Sequence, residues 1–232
     1  MREFEIEQVS LNVKWNYERI IPSLPVIGTE AFGILCKRLA PFGLSASRIL
    51  ADAPTNKLGD ALMTIILLEG RLGIKFSVSS FEIIVDDLYE DDERNVIDVA
   101  DIIFEALKKI DPDVENGKAN IRLMYHLKLS PNENTKILSE HLNLFGNNPN
   151  LSPEMAIYQV NLEENTILEN SKVAIAKSVA YENAVFLDVY LDYSKIENTA
   201  KFAENVQKDV IEIFEIFGLK EQISDNYSEV IK

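Results

Sequence analysis

The sequence predicts an α+β protein laid out twice on one plan: a strand, a helix, an antiparallel meander and a long helix. Three observations predict it. The stretch ILCKRLAPFG, Ile34 to Gly43, returns as ILSEHLNLFG, Ile137 to Gly146, with Ile, Leu, Leu, Phe and Gly in the same places. Each copy follows an alternating apolar segment, Val9-Leu11-Val13-Trp15 before the first and Ile121-Leu123-Tyr125-Leu127-Leu129 before the second. Each is followed by short β-branched runs and then a long amphipathic stretch. The plan places one repeat over 1–112, a second over 113–220 and a polar tail over 221–232.

In chain order, period-two alternation makes the segment around Val9–Trp15 a half-buried strand. A loop with Pro22, Pro25 and Gly28 follows. Thr29 is placed to cap a helix whose Leu35, Leu39 and Phe42 share one face, and Gly43 supplies the left-handed stop. The runs SRILADA, ALMTIILL, LGIKFSVSS and FEIIVDD are broken by Pro54, Gly59, Glu69-Gly70 and Ser79-Ser80, which reads as a meander. The wholly apolar ALMTIILL is expected to be its central strand, covered on both faces. A helix is expected over 95–110, stopped by Asp111-Pro112.

The second pass opens at Ile121. Ser130 or Asn132 caps its short helix, which Phe145-Gly146 closes. Strands over EMAIYQVNLEE, SKVAIAKSV and NAVFLDVYLDY follow, with turns at Glu164-Asn165 and Glu182-Asn183. A last helix spans 196–217, with Gly218 as its stop.

Composition narrows the function. The net charge of −15 repels phosphate backbones, so direct nucleic-acid binding is disfavoured and a basic protein partner is favoured. The single cysteine, Cys36, sits in an apolar helical pattern and cannot form an internal disulfide. The N-terminal MREFEIEQVSLNV has no apolar core of a signal peptide, and the longest apolar run is too short to span a bilayer. The expectation is a soluble cytoplasmic protein.

Motifs that carry chemistry are missing. The two histidines, His126 and His141, lack metal-ligand spacing, and no phosphate loop or nucleophile elbow is present. No metal, cofactor or catalytic residue is therefore expected. The densest charge feature is DDLYEDDE, Asp86 to Glu93, with six carboxylates in eight residues. Acids before a helix favour the positive end of its dipole. The same residues, Asp86, Asp87, Glu90, Asp91, Asp92 and Glu93, would serve as a docking patch for a basic partner.

The duplicated plan, with NIRLMYHLKL opening the second half, resembles a sporadically distributed family of uncharacterised bacterial proteins of similar length. Arg122 and Tyr125 match in kind the arginine-rich aromatic strand found there in that family. Its proline-containing N-terminal strand motif is not recognisable in FEIEQVSLNV. The resemblance implies the fold and no activity. A doubled antiparallel sheet with helices on one side also looks like the saddle of the TATA-binding proteins, whose use of it the acidity opposes.

These readings lead to a non-catalytic protein-interaction protein, an accessory subunit, adaptor or inhibitor in a bacterial or phage complex, with defence-related or chaperone-like roles included. The alternative is a small-molecule-binding or enzymatic domain whose pocket between sheet and long helix would use Arg122, Tyr125, His126 and Tyr158. Nucleic-acid mimicry is a third, and requires a continuous stripe of carboxylates.

Overall fold

The computed structural model of the chain describes residues 2–21, 29–51, 62–114, 117–142, 154–162, 167–195 and 198–221. The expected loop around Pro25, the breaks at Pro54 and Gly59, the stop at Phe145-Gly146, the Glu164-Asn165 turn and the tail beyond 221 lie outside them.

Strand β1 (Arg2–Asn16) buries Val9, Leu11, Val13 and Trp15, while Ser10, Asn12, Lys14 and Asn16 stand half-buried on the other side. A bulge between Ile6 and Gln8 shifts the phase, so Phe4 reaches the buried side too. Helix α1 (Glu30–Leu39) starts where the Thr29 hydroxyl accepts the Phe32 N–H at 3.2 Å, and it buries Leu35 and Leu39. A short 3₁₀ turn then ends at Gly43, whose φ of 82° is the left-handed stop. Strands β2 (Ile49–Ala51), β3 (Met63–Leu67), β4 (Leu72–Phe76) and β5 (Ser80–Val85) precede helix α2 (Glu90–Lys108).

A similar succession follows, with three described strands between its helices in place of four. β6 (Lys118–Lys128) leads to α3 (Pro131–Leu142), β7 (Met155–Gln159), β8 (Leu168–Lys177), β9 (Ala184–Tyr193) and α4 (Thr199–Ile216). The Asn198 side chain caps α4 by accepting the Lys201 N–H at 2.8 Å, and Gly218 at φ 66° ends the turn after it. β10 (Leu219–Glu221) closes the described chain.

The strands form one ten-stranded sheet in the order β2-β3-β4-β5-β1-β6-β9-β8-β7. It is antiparallel except that β10 runs parallel to the first residues of β1. The middle is the β1–β6 pair, in register from Gln8↔His126 to Asn16↔Lys118. At the end of that pair the chain entering β6 passes so close to β1 that a Cβ on Gly117 would sit 2.1 Å from the Asn16 carbonyl oxygen.

One side of the sheet carries the core. Trp15 stacks on Phe81 with centroids 4.6 Å apart and meets Phe104 of α2 edge-on at 5.9 Å. Tyr125 of β6 meets Phe214 of α4 at 5.2 Å, and Tyr193 of β9 meets Phe202 of α4 at 5.1 Å. Leu35 of α1 and Ile137 of α3 belong to the same buried cluster. The four described helices thus cover one face of the sheet.

The structure corrects three expectations. ALMTIILL is an inner strand of its meander, paired with β2 and β4, but it is not covered on both faces. Its Met63, Ile65 and Leu67 are buried while Thr64 and Ile66 are only half-buried, so an apolar run here marks an apolar outer face, not depth. Helix α2 starts at Glu90 rather than 95, because Asp92 turns back to accept the Tyr89 N–H at 3.2 Å. Residues 219–221, in part assigned to the polar tail, form a strand.

Candidate functional site on the uncovered face of the sheet

Strand side chains alternate, so the residues between the core positions form a second face that no described helix covers. The pairing register lays them out in rows. One row runs Leu50, Thr64, Lys75, Glu82, Lys14, Asn120, Asp192 and Asn170. The next runs Ile66, Gly73, Ile84, Asn12, Arg122, Tyr190, Lys172 and Gln159.

The middle of this face is a polar mesh. The Asn12 amide donates to Glu82 at 2.6 Å, and the Asn16 amide donates to Asn120 at 2.6 Å. Asn120 in turn donates to Asp192. Burial raises the Asp192 carboxyl above its ordinary range, with the Glu169 charge adding to it. Arg122 grips Asp188 with two parallel hydrogen bonds of 2.9 and 2.8 Å. That bidentate geometry raises the Arg122 pKa and occupies its guanidinium. His126 Nδ1 lies 2.9 Å from the Ser178 hydroxyl, which also accepts the Ala180 and Tyr181 N–H groups. Burial lowers the His126 pKa.

Beyond the mesh, the β7–β9 wing turns apolar. Ile157 pairs with Ala174, and Met155 with Ala176, which pairs with Phe186. Ile157 is 68% exposed and Met155 47% exposed, while the two alanines are buried between larger neighbours. The result is a patch with raised sides and a small-residue floor. Asp188, His126, Lys172 and Gln159 surround it in register. Val179, fully exposed, sits at the tip of the β8–β9 hairpin.

The residues singled out from sequence distribute as follows. Arg122 and His126 stand on the uncovered face, as the alternation of β6 predicts. Tyr125 points the other way, into the core against Phe214, where burial pushes its hydroxyl well above the ordinary tyrosine range. Tyr158 also faces the helix side, where its hydroxyl meets His141 Nδ1 at 3.0 Å. Residues on opposite faces of one sheet layer cannot line one cavity, so the four are not brought together.

The acidic run is dispersed as well. Asp86 is exposed, and its carbonyl accepts from Ser10 and Gln8. Asp87 accepts the Tyr89 hydroxyl at 2.7 Å. Asp92 is 2% exposed, committed to the Tyr89 N–H and to Arg71, whose guanidinium also lies over the Tyr89 ring at 5.2 Å. It is closed to a partner. Glu93 is exposed, and the side chains of Glu90 and Asp91 lie outside the description.

Among the described residues no three His, Cys, Asp or Glu side chains group as they would round a metal ion. Cys36 is half-buried, and burial raises its thiol pKa, which opposes a nucleophilic role. No described helix is long and apolar enough to cross a membrane. No family model matches the chain, and no curated protein does.

The apolar patch escaped the sequence reading. Its signal was the strand MAIYQ, where Met155 and Ile157 are apolar at the positions that face away from the core. Ala174, Ala176 and Phe186 join them only through strand register.

Proposed function

We propose that the chain is a non-catalytic protein-interaction protein, an accessory subunit, adaptor or inhibitor, that docks its partner on the uncovered face of the sheet. One observation carries this reading: the patch of exposed Met155 and Ile157 with half-buried Phe186 over Ala174 and Ala176, rimmed by Asp188, His126, Lys172 and Gln159. An apolar centre with a polar rim is the anatomy of a protein interface. Carboxylates elsewhere on the −15 chain, Asp86 and Glu93 among them, would draw in a basic partner over longer range.

Internal duplication belongs to the same reading. The recurring order of elements and the antiparallel β1–β6 pair at the sheet's middle support two copies of one unit, over 1–112 and 113–220, joined edge to edge. The resemblance to the duplicated bacterial family fits that origin and adds no activity.

The test is affinity purification of the tagged chain from its native host, repeated with Phe186→Glu on the uncovered face and with Asp98→Lys on the exposed side of α2. A stoichiometric protein partner that Phe186→Glu removes and Asp98→Lys retains supports the reading. A lone chain carrying a bound metabolite, or a partner indifferent to Phe186→Glu, contradicts it.

A further inference from the structure

Strand β7 ends the sheet, and its outer edge has no strand partner among the described residues. The ladder shows which groups that edge presents. Val160 N–H donates to the Ser171 carbonyl at 3.2 Å, so Val160 and Ser171 are a hydrogen-bonded pair. In an antiparallel ladder such pairs alternate. Tyr158 and Ala156 therefore spend their N–H and C=O on β8, while those of Met155, Ile157 and Gln159 point outward. These are the same residues whose side chains form the lip of the apolar patch.

Edges of this kind are ordinarily guarded by charge, proline, a bulge or shortness. At the other end of the sheet β2 is three residues long. β7 has five residues, MAIYQ, with no charge and no proline. Its two most outward apolar side chains are exposed beside a backbone edge that no described strand pairs.

Resting on the docking face argued above, we infer that β7 accepts an extended segment of the partner as an added strand, and that this segment is cationic. Backbone groups of Met155, Ile157 and Gln159 would bind its main chain, and its alternate side chains would lie against Ile157 and Met155. Charge decides the occupant. A second copy of the chain would bring another −15 to the edge and bury only one short strand from each chain, far below the roughly 800 Å² per partner of a stable interface. A strand with Lys or Arg between apolar residues is attracted at long range by the net charge of −15 that opposes self-pairing, while Lys172 and Lys177 of β8 are the cations nearest the edge.

The experiment uses the whole chain and a synthetic nine-residue peptide of alternating Lys and Val, with a control of equal charge in which proline replaces valine. The expected result is saturable binding of the Lys/Val peptide alone, with amide exchange at Ile157 and Gln159 slowed at least tenfold. Ile157→Pro removes an N–H that the sheet itself does not use, and should weaken binding at least tenfold without changing the thermal midpoint. If that variant fails to fold, Ile157→Lys replaces it. Absence of binding, or binding that leaves β7 exchange unchanged, overturns the inference. So does sedimentation showing a wild-type dimer that Ile157→Lys dissociates, since a second copy would then hold the edge. If β7 is unprotected while Phe186→Glu still removes the native partner, strand addition falls and the docking face stands.

Discussion

The two wings of the sheet share an order of elements and differ in what they show to solvent. On the β2–β5 wing the uncovered face sets Lys75 and Glu82 in one row and the half-buried Ile66 and Ile84 in the next, and its terminal strand is three residues long. On the β7–β9 wing the corresponding area holds Met155, Ile157, Phe186 and two buried alanines, and the terminal strand is longer and uncharged. Packing beneath the two wings is comparable, with aromatic rings from α2 and α4 seated on the middle strands. One scaffold therefore ends in a three-residue strand on one wing and, on the other, in a longer strand that exposes Met155 and Ile157. The difference lies in exposed side chains rather than in the core, and the proposed docking face is on the second wing.

The largest expected effect breaks the join between the wings. Gly117→Ala drives a methyl group into the Asn16 carbonyl, a backbone atom that cannot swing away. It should cost about 3 kcal/mol of stability, read as a shift in the denaturation midpoint. Next come the two ties that hold a long helix to each wing. In the second wing the Tyr193 hydroxyl donates to the buried Asp209 at 2.6 Å, and Tyr193→Phe should cost about 2 kcal/mol because a buried carboxylate loses a donor. In the first wing Arg71, itself 43% exposed, holds Asp92, and Arg71→Ala should cost only about 1 kcal/mol. Equal costs in urea titrations would contradict this ranking.

Acid should distinguish the wings too, because both histidines lie in the second. His126 faces Ser178, Tyr181 and Phe186; His141 faces Tyr158 and Phe217, with Glu140 and Arg2 nearby. Burial lowers both pKa values from the ordinary 6.5. The unfolded chain then binds more protons just below that value, so the stability associated with the neutral rings is present above it and lost as pH falls toward the folded-state values. Between pH 7.5 and 5.5 the thermal midpoint should fall less in a His126→Gln, His141→Gln double variant than in the wild type. An unchanged slope would contradict the assignment.

Much of this scaffold is legible in the chain. The alternation of Val9–Trp15 and Ile121–Leu129 announces β1 and β6, and the Thr29 cap and Gly43 stop bracket α1 and its final turn as expected. Coverage was not legible, because Ile66 is apolar yet only half-buried on the outer face of β3. The start of α2 was hidden because its capping carboxylate, Asp92, is held by Arg71 from a distant turn. The proposed docking patch was hidden for the same kind of reason. Met155, Ala176 and Phe186 are scattered in sequence and become neighbours only through the β7–β8–β9 register.

The smallest stability effects make the sharpest functional contrast. Leu50→Lys on the first wing and Ile157→Lys on the second both alter exposed side chains and should each change stability by less than about 0.5 kcal/mol. Only Ile157→Lys should weaken capture of the native partner, by at least tenfold in pull-down titrations. Equal loss from both would spread the interface across the whole face.

The most direct test of the central claim is hydroxyl-radical footprinting of the chain with and without its purified partner. Met155, Ile157 and Phe186 should lose reactivity several-fold on binding, while Ile211 and Ile216, exposed on α4 of the helix-covered face, keep theirs. Protection of Ile211 and Ile216 with Met155, Ile157 and Phe186 still reactive would contradict it.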